Sequence, residues 1–220
     1  MKDVIKAIIF DLDGTLIEFK LDVYSSKNEV IGMIRGELPN IVGLDVSQPY
    51  HLMLEKVRNL VDEETFENIK LKVFRILDRF EEKAVQETTL KEGAKDALIE
   101  LKRLGKRITL LTNSGKAATF TALKKFGIMD FFEIVLSRED VQFLKPSTFG
   151  FKKMLALLNL DASECLSVGD GLIDLIPSKA LGIKFVAVAG GYNPIERLLE
   201  YSPDYVVNSL SELSRLVSEL

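Results

Sequence analysis

From residue 89 onward the chain alternates short apolar runs with amphipathic stripes, and few architectures accept that rhythm. Ala94, Ala97, Leu98, Leu101 and Leu104 recur at helical spacing, and Gly105 ends the stripe. An apolar run over 108–111 follows, then a helix ending near Phe126-Gly127 and a strand over 134–136. A helix over about 148–158, a strand over 165–168, a helix across 173–181 and a strand over 185–188 continue the series. Helices near 194–200 and 209–218 close it, and residues 5–10 read as a further strand near the start of the chain. These strands are continuous apolar runs, the pattern of parallel strands buried on both faces. The predicted fold class is α/β: a Rossmann-like, doubly wound, mostly parallel sheet with helices on both sides.

Residues 17–88 break the alternation. Val23, Val30 and Ile34 share one helical face, as do Met53, Val57, Leu60 and Val61. A longer stripe runs through Phe66, Ile69, Val73, Phe74, Leu77 and Phe80. Leu38-Pro39-Asn40 and Ser47-Gln48-Pro49 punctuate the segment as loops. The aromatic stripes read as core packing, so 17–88 is expected to be an inserted helical domain. Residues 1–16 and 89–220 then form the α/β core.

Bulk properties exclude several classes. The 220 residues are 47% hydrophobic and 28% charged, an ordinary globular balance. A net charge of −4 gives no general attraction to nucleic acid or anionic membrane. No apolar run approaches the ~20 residues that span a bilayer, and no signal peptide is expected. The single cysteine, Cys165, lies in an apolar run and reads as a buried small residue. One cysteine and one histidine make neither a disulfide nor a zinc cluster, which favours the cytoplasm.

Four positions could carry chemistry. Asp11-Leu12-Asp13-Gly14-Thr15 follows the first strand and places two carboxylates where the chain must turn. Thr112-Asn113-Ser114 follows 108–111, with hydroxyls, an amide and backbone N–H groups suited to a phosphate. Lys145-Pro146 offers a compact positive charge ahead of a helix. Gly169-Asp170-Gly171-Leu172-Ile173-Asp174 follows 165–168 and puts two carboxylates four residues apart. Each has a structural reading as well: a turn, an N-cap, an exposed loop, an acidic helix start. What favours chemistry is that all four follow strands of one parallel sheet, whose carboxyl ends converge on one edge.

With these motifs in order, the chain resembles a haloacid dehalogenase superfamily hydrolase, in its phosphoglycolate phosphatase-like branch. Phe126-Gly127-Ile128, Phe131-Phe132 and Ala180-Leu181-Gly182-Ile183 resemble the flanking segments of that family. Its members insert a helical cap after the first motif, which is where 17–88 falls. The resemblance implies a Mg²⁺-dependent phosphatase that hydrolyses a small phosphomonoester, phosphoglycolate-like or a sugar phosphate, through an aspartyl-phosphate. It implies Asp11 as nucleophile and Asp13 as general acid and base. Thr112, the backbone at Asn113, and Lys145 would hold the phosphoryl group, with Thr112 and Lys145 also counted as catalytic. Asp11, the Asp13 carbonyl and Asp170 would surround Mg²⁺, with Asp174 a further ligand or a partner that orients its water. The expected partner is a small phosphorylated metabolite, with neither nucleic acid nor membrane, and the expected state is a monomer or weak homodimer.

Asp at position 13 favours phosphate esters, because relatives that cleave carbon–halogen or carbon–phosphorus bonds generally lack an acid there. Leu12 disfavours the transport ATPase branch, which carries Lys at that place. Thr148, Gly171 and Glu18 depart from the common pattern without removing a reacting group. A sugar phosphomutase and a non-catalytic phospholigand-binding module are the alternatives. Retention of Asp11, Asp13, Asp170 and Asp174 weighs against the module. His51 reads as a helix-start surface residue, and the basic residues Lys20, Lys27, Arg35, Lys56, Arg58, Lys72, Arg75 and Arg79 as solvated charges in the main.

Overall fold

Four consecutive buried side chains, Ala7 to Phe10, need cover on both faces of a strand, and a parallel sheet inside helical layers supplies it. The structure, a computed structural model, describes residues 5–220; residues 1–4 of the expected core segment lie outside it. Among the described residues the strands are β1 (Ala7–Phe10), β2 (Arg107–Leu111), β3 (Ile134–Leu136), β4 (Cys165–Gly169), β5 (Lys184–Val188) and β6 (Tyr205–Val207). They form one sheet in the order β3-β2-β1-β4-β5-β6, and every adjacent pair is parallel. This is the Rossmann-like order, in which the succession of strands switches from one side of β1 to the other at the β1–β4 pair. Ligands of such sheets bind at that crevice, beyond the carboxyl ends of the strands.

The helices are α1 (Val23–Glu37), α2 (Tyr50–Arg58), α3 (Glu63–Glu87), α4 (Ala94–Arg103), α5 (Lys116–Lys125), α6 (Phe149–Leu158), α7 (Leu172–Leu181), α8 (Ile195–Leu199) and α9 (Leu213–Glu219). Ala7 and Ile9 of β1 pack with Leu111, Leu136 and the α6 residues Phe151 and Met154. A second cluster joins Phe185 and Ala187 of β5 to Leu175 of α7 and Leu198 of α8. Helices α6 and α7 end on residues in the left-handed conformation, Asn159 (φ 52°) and Gly182 (φ 76°).

The chain divides into two compact units. One runs to Phe19 and resumes from Thr88 to Leu220; the other is Lys20–Glu87. Residues 17–19 stay with the first unit because Ile17 bridges both Asp13 and Leu90, and Glu18 N donates to Thr89 O (2.9 Å). The second unit is helical, with α3 packed against α1 and α2. Val30, Ile34, Met53, Val57, Phe66, Ile69, Val73 and Leu77 are buried, as their spacing predicts. Leu60 is exposed, because α2 ends at Arg58 before the stripe reaches it. Strand β6 is a feature the periodicity did not predict: three residues at a sheet edge leave too short a pattern to read. No described helix is long and apolar enough to cross a membrane.

Candidate active site

The register of the central strands assembles the acidic residues. Phe10 pairs with Leu110 on one side and Val168 on the other, so the next residues of β1 and β4 leave the sheet side by side. Asp11 N donates to Val168 O (3.0 Å), and Asp170 follows directly on β4. Asp174 lies in the first turn of α7. One carboxylate oxygen from each of Asp11, Asp170 and Asp174 lies within 4.8 Å of the others, and all three residues are buried.

Lys145 enters this cluster from the loop between β3 and α6. Its ammonium donates to Asp11 Oδ1 (2.6 Å), Asp174 Oδ1 (2.6 Å) and Leu111 O (2.9 Å). A residue on an irregular loop needs an anchor if it is to place a buried charge this closely. Asn113 provides it: Lys145 N donates to Asn113 Oδ1 (2.9 Å), and Asn113 Nδ2 donates to Lys145 O (3.0 Å). The Asn113 side chain is thus occupied with the Lys145 backbone.

Asp13 has a different surrounding. Its carboxylate accepts from Ser114 Oγ (2.6 Å), in the turn ahead of α5, and it is only half-buried. Thr112 is buried, and its Oγ1 accepts from Ser114 N (3.0 Å), which shapes the turn out of β2. The structure therefore brings Asp11, Lys145, Asp170 and Asp174 into direct proximity. Asp13, Thr112 and Asn113 sit on the adjoining turns.

Asp170 occupies a narrow slot. Thr15 Oγ1 donates to its Oδ1 (3.0 Å), and the backbone N–H of Tyr192 donates to its Oδ2 (2.5 Å). A Cβ on Gly14 or on Gly191 would overlap the carboxylate. Gly14 has φ +86°, so the β1 turn needs glycine both for its backbone angle and for this contact. Sequence reasoning missed the 190–192 loop, which acts through backbone atoms. The Gly190-Gly191 pair after a strand was the one available signal.

Three buried carboxylates stand beside one ammonium, which bonds Asp11 and Asp174 only, so the cluster holds excess acidic groups. Burial, then the Asp11 charge, raises the Asp170 pKa to about 6 against the hydrogen bonds from Tyr192 and Thr15. Burial likewise pushes Asp174 up to about 8, with Lys145 opposing and Asp11 adding to the rise. For Lys145, burial favours the neutral amine, but Asp11 and Asp174 outweigh it and the net shift is upward. The directions agree on one point: this site gains from an added cation.

The family model described as haloacid dehalogenase-like hydrolase matches residues 8–188. The chain belongs to this family. Among relatives of this haloacid dehalogenase-like hydrolase, a phosphoglycolate phosphatase of Nitrosospira multiformis is 27% identical over 223 residues, covering 98% of this chain and 96% of its own. A pyrophosphatase PpaX of Bacillus thuringiensis (strain Al Hakam) is 26% identical, with 98% of each chain covered. A hydrolase from Pseudomonas syringae has the same fold, with a TM-score of 0.70 at 19% identity, covering 98% of this chain and 99% of that one.

The acidic cluster of this haloacid dehalogenase-like hydrolase suits a divalent metal. Its three acidic groups are all hard oxygen donors, the kind that Mg²⁺ prefers. Asp174 Oδ2 is buried and has no hydrogen-bond partner, a costly condition that a cation or its bound water relieves. In the helical unit, most of the basic side chains considered above are already engaged. Lys27 donates to Val46 O, Arg35 to Leu44 O and Lys56 to Gly43 O, while Arg58, Lys72 and Arg79 pair with Glu63, Glu37 and Glu29. His51 is half-buried, and burial lowers its pKa.

Proposed function

We propose that this chain is a Mg²⁺-dependent phosphatase that hydrolyses a small phosphomonoester through an aspartyl-phosphate. The observation that carries the reading is the buried Asp11–Asp170–Asp174 cluster, charge-deficient by a cation and bridged by Lys145. When bound, Mg²⁺ would be held by Asp11, Asp170, Asp174 and the Asp13 carbonyl, and would neutralise phosphoryl charge.

In this reading an Asp11 carboxylate oxygen attacks phosphorus, and the bond from phosphorus to the ester oxygen breaks. Asp13 gives its proton to the departing alkoxide, so the alcohol leaves neutral. Asp13, now ionised, takes a proton from water as that water attacks the aspartyl-phosphate. Phosphate departs and Asp11 is restored. Two roles need two environments: Asp11 is held by the Lys145 ammonium, while Asp13 lies outside that cluster and is met by a hydroxyl. Lys145 donates to Asp11 and offsets charge that builds on the phosphoryl oxygens. Thr112 and the backbone N–H of Asn113 are assigned to receive those oxygens; the N–H groups of Thr112 and Ser114 are already given to Leu136 O and Thr112 Oγ1. Positioning and electrostatics of this kind supply most of the catalysis in phosphoryl transfer.

The unit Lys20–Glu87 is assigned as a cap that selects the leaving group and excludes water. The names of the relatives make phosphoglycolate and pyrophosphate the first compounds to try, alongside sugar phosphates. The test is phosphate release from such a panel with and without Mg²⁺, beside Asp11→Asn. Metal-dependent release that Asp11→Asn abolishes is expected. Release that survives both EDTA and the substitution contradicts the mechanism.

A further inference from the structure

Asp170 is held from two sides by separate parts of the chain. Gly14, in the turn after β1, forms one wall of its slot, and Gly191, in the loop after β5, forms the other. These walls are far apart in sequence, and any separation between them loosens the carboxylate. Tyr192 N–H would draw away from Asp170 Oδ2, and Thr15 Oγ1 from Oδ1.

One side chain spans the two walls. Lys91 Nζ donates to Gly14 O (2.9 Å) and to Gly190 O (2.9 Å). Its own backbone is fixed to the same turn: Lys91 N donates to Leu16 O (2.9 Å), and the neighbouring Leu90 bridges Ile17. Its ammonium is therefore presented from an anchored position. Both acceptors are main-chain carbonyls of glycines next to the slot, so the contacts hold backbone rather than balance a carboxylate.

We propose that Lys91 is a positioning residue, a clasp that joins the Gly14 turn to the Gly190 loop and so fixes Asp170 for cation binding. This rests on the reading of the acidic cluster as a divalent metal site. Lys91 does not touch substrate or metal in this account; it acts through Gly14, Gly190 and the slot they border. The sign of its effect separates the clasp from simple electrostatics. Removing a positive charge near a cation site tightens cation binding by Coulomb's law alone, whereas removing a clasp weakens it.

The experiment is Mn²⁺ binding to the metal-stripped full-length protein, followed by electron paramagnetic resonance of the free ion. Wild type, Lys91→Met, Lys91→Gln, Lys91→Arg and Asp170→Asn are compared, each with a metal-free melting curve. Wild type is expected to bind, and Asp170→Asn to lose binding. Lys91→Met is expected to weaken Mn²⁺ binding about 10- to 100-fold, the scale of outer supporting residues at metal sites. Lys91→Arg should restore most of that loss, since it again offers donors to both carbonyls. In steady state, Lys91→Met should raise the Mg²⁺ concentration for half-maximal activity but regain wild-type kcat at saturating Mg²⁺. If Lys91→Met is too unstable to assay, Lys91→Gln carries the same expectation with a smaller loss. Unchanged or tighter Mn²⁺ binding in a folded Met or Gln variant overturns the clasp. Failure of Lys91→Arg to recover binding overturns it too. Failure of wild type to bind, or binding unaffected by Asp170→Asn, instead overturns the metal site on which it rests.

Discussion

Asp170 and Asp174 are carboxylates whose burial works against the charge their proposed task requires. With folded pKa values raised to about 6 and about 8, each holds a proton more firmly than in the unfolded chain. That contribution to stability is present in acid, and it is lost as pH climbs through those values. A cation must displace the same protons, so Mg²⁺ affinity is expected to rise with pH across that interval. Calorimetry in buffers of different ionisation enthalpy should show proton release on binding that fades towards the upper end. Affinity independent of pH there would contradict the electrostatic account of the cluster. At this scale the acidic residues and Lys145 were legible, because each followed an apolar run in a fixed sequence order. Ser114 beside Asp13, and Lys91 beside Gly14, were not. Their partners are 101 and 77 residues away in sequence, and no local pattern encodes such a contact.

Loops rather than strands carry most of the candidate site residues, and the strands decide where those loops begin. β1 contributes its buried side chains to the core and then releases Asp11 at the carboxyl edge of the sheet, so the strand's backbone joins core packing to site geometry. Phe151 of α6 shares a core cluster with Ala7, Ile9 and Leu111 without belonging to the acidic cluster. Phe151→Ala is therefore expected to cost about 3–5 kcal/mol of stability by urea denaturation. At temperatures where the variant stays folded, Mg²⁺ affinity should be unchanged; a parallel loss of affinity would show that α6 packing sets the site. Element type was legible wherever a pattern ran for a full helix or an uninterrupted apolar strand. It failed at β6, which has three residues, and at Leu60, where the apolar stripe outlasts the helix that carries it. The Asn113 clamp on Lys145 was hidden for a different reason: its residues were visible, but an amide bonded to a distant backbone leaves no periodic mark.

For the whole molecule, the parallel sheet explains why turns scattered from residue 11 to residue 192 meet. All its strands end on one edge, and the order β3-β2-β1-β4-β5-β6 puts the switch between the two strands that deliver Asp11 and Asp170. The alternation of elements made that architecture legible, and the helical segment between β1 and α4 lengthens the chain without altering the sheet order. The proposed reaction phosphorylates Asp11 and uses Asp13 in both of its halves. The most direct test is to expose Asp13→Ala to an aryl phosphate, whose good leaving group departs without an acid, and to map any phosphate on the acid-quenched protein. A stoichiometric phosphoprotein modified at Asp11, absent when Asp11→Asn is added, is expected. No covalent phosphate, or phosphate on any other residue, would contradict it.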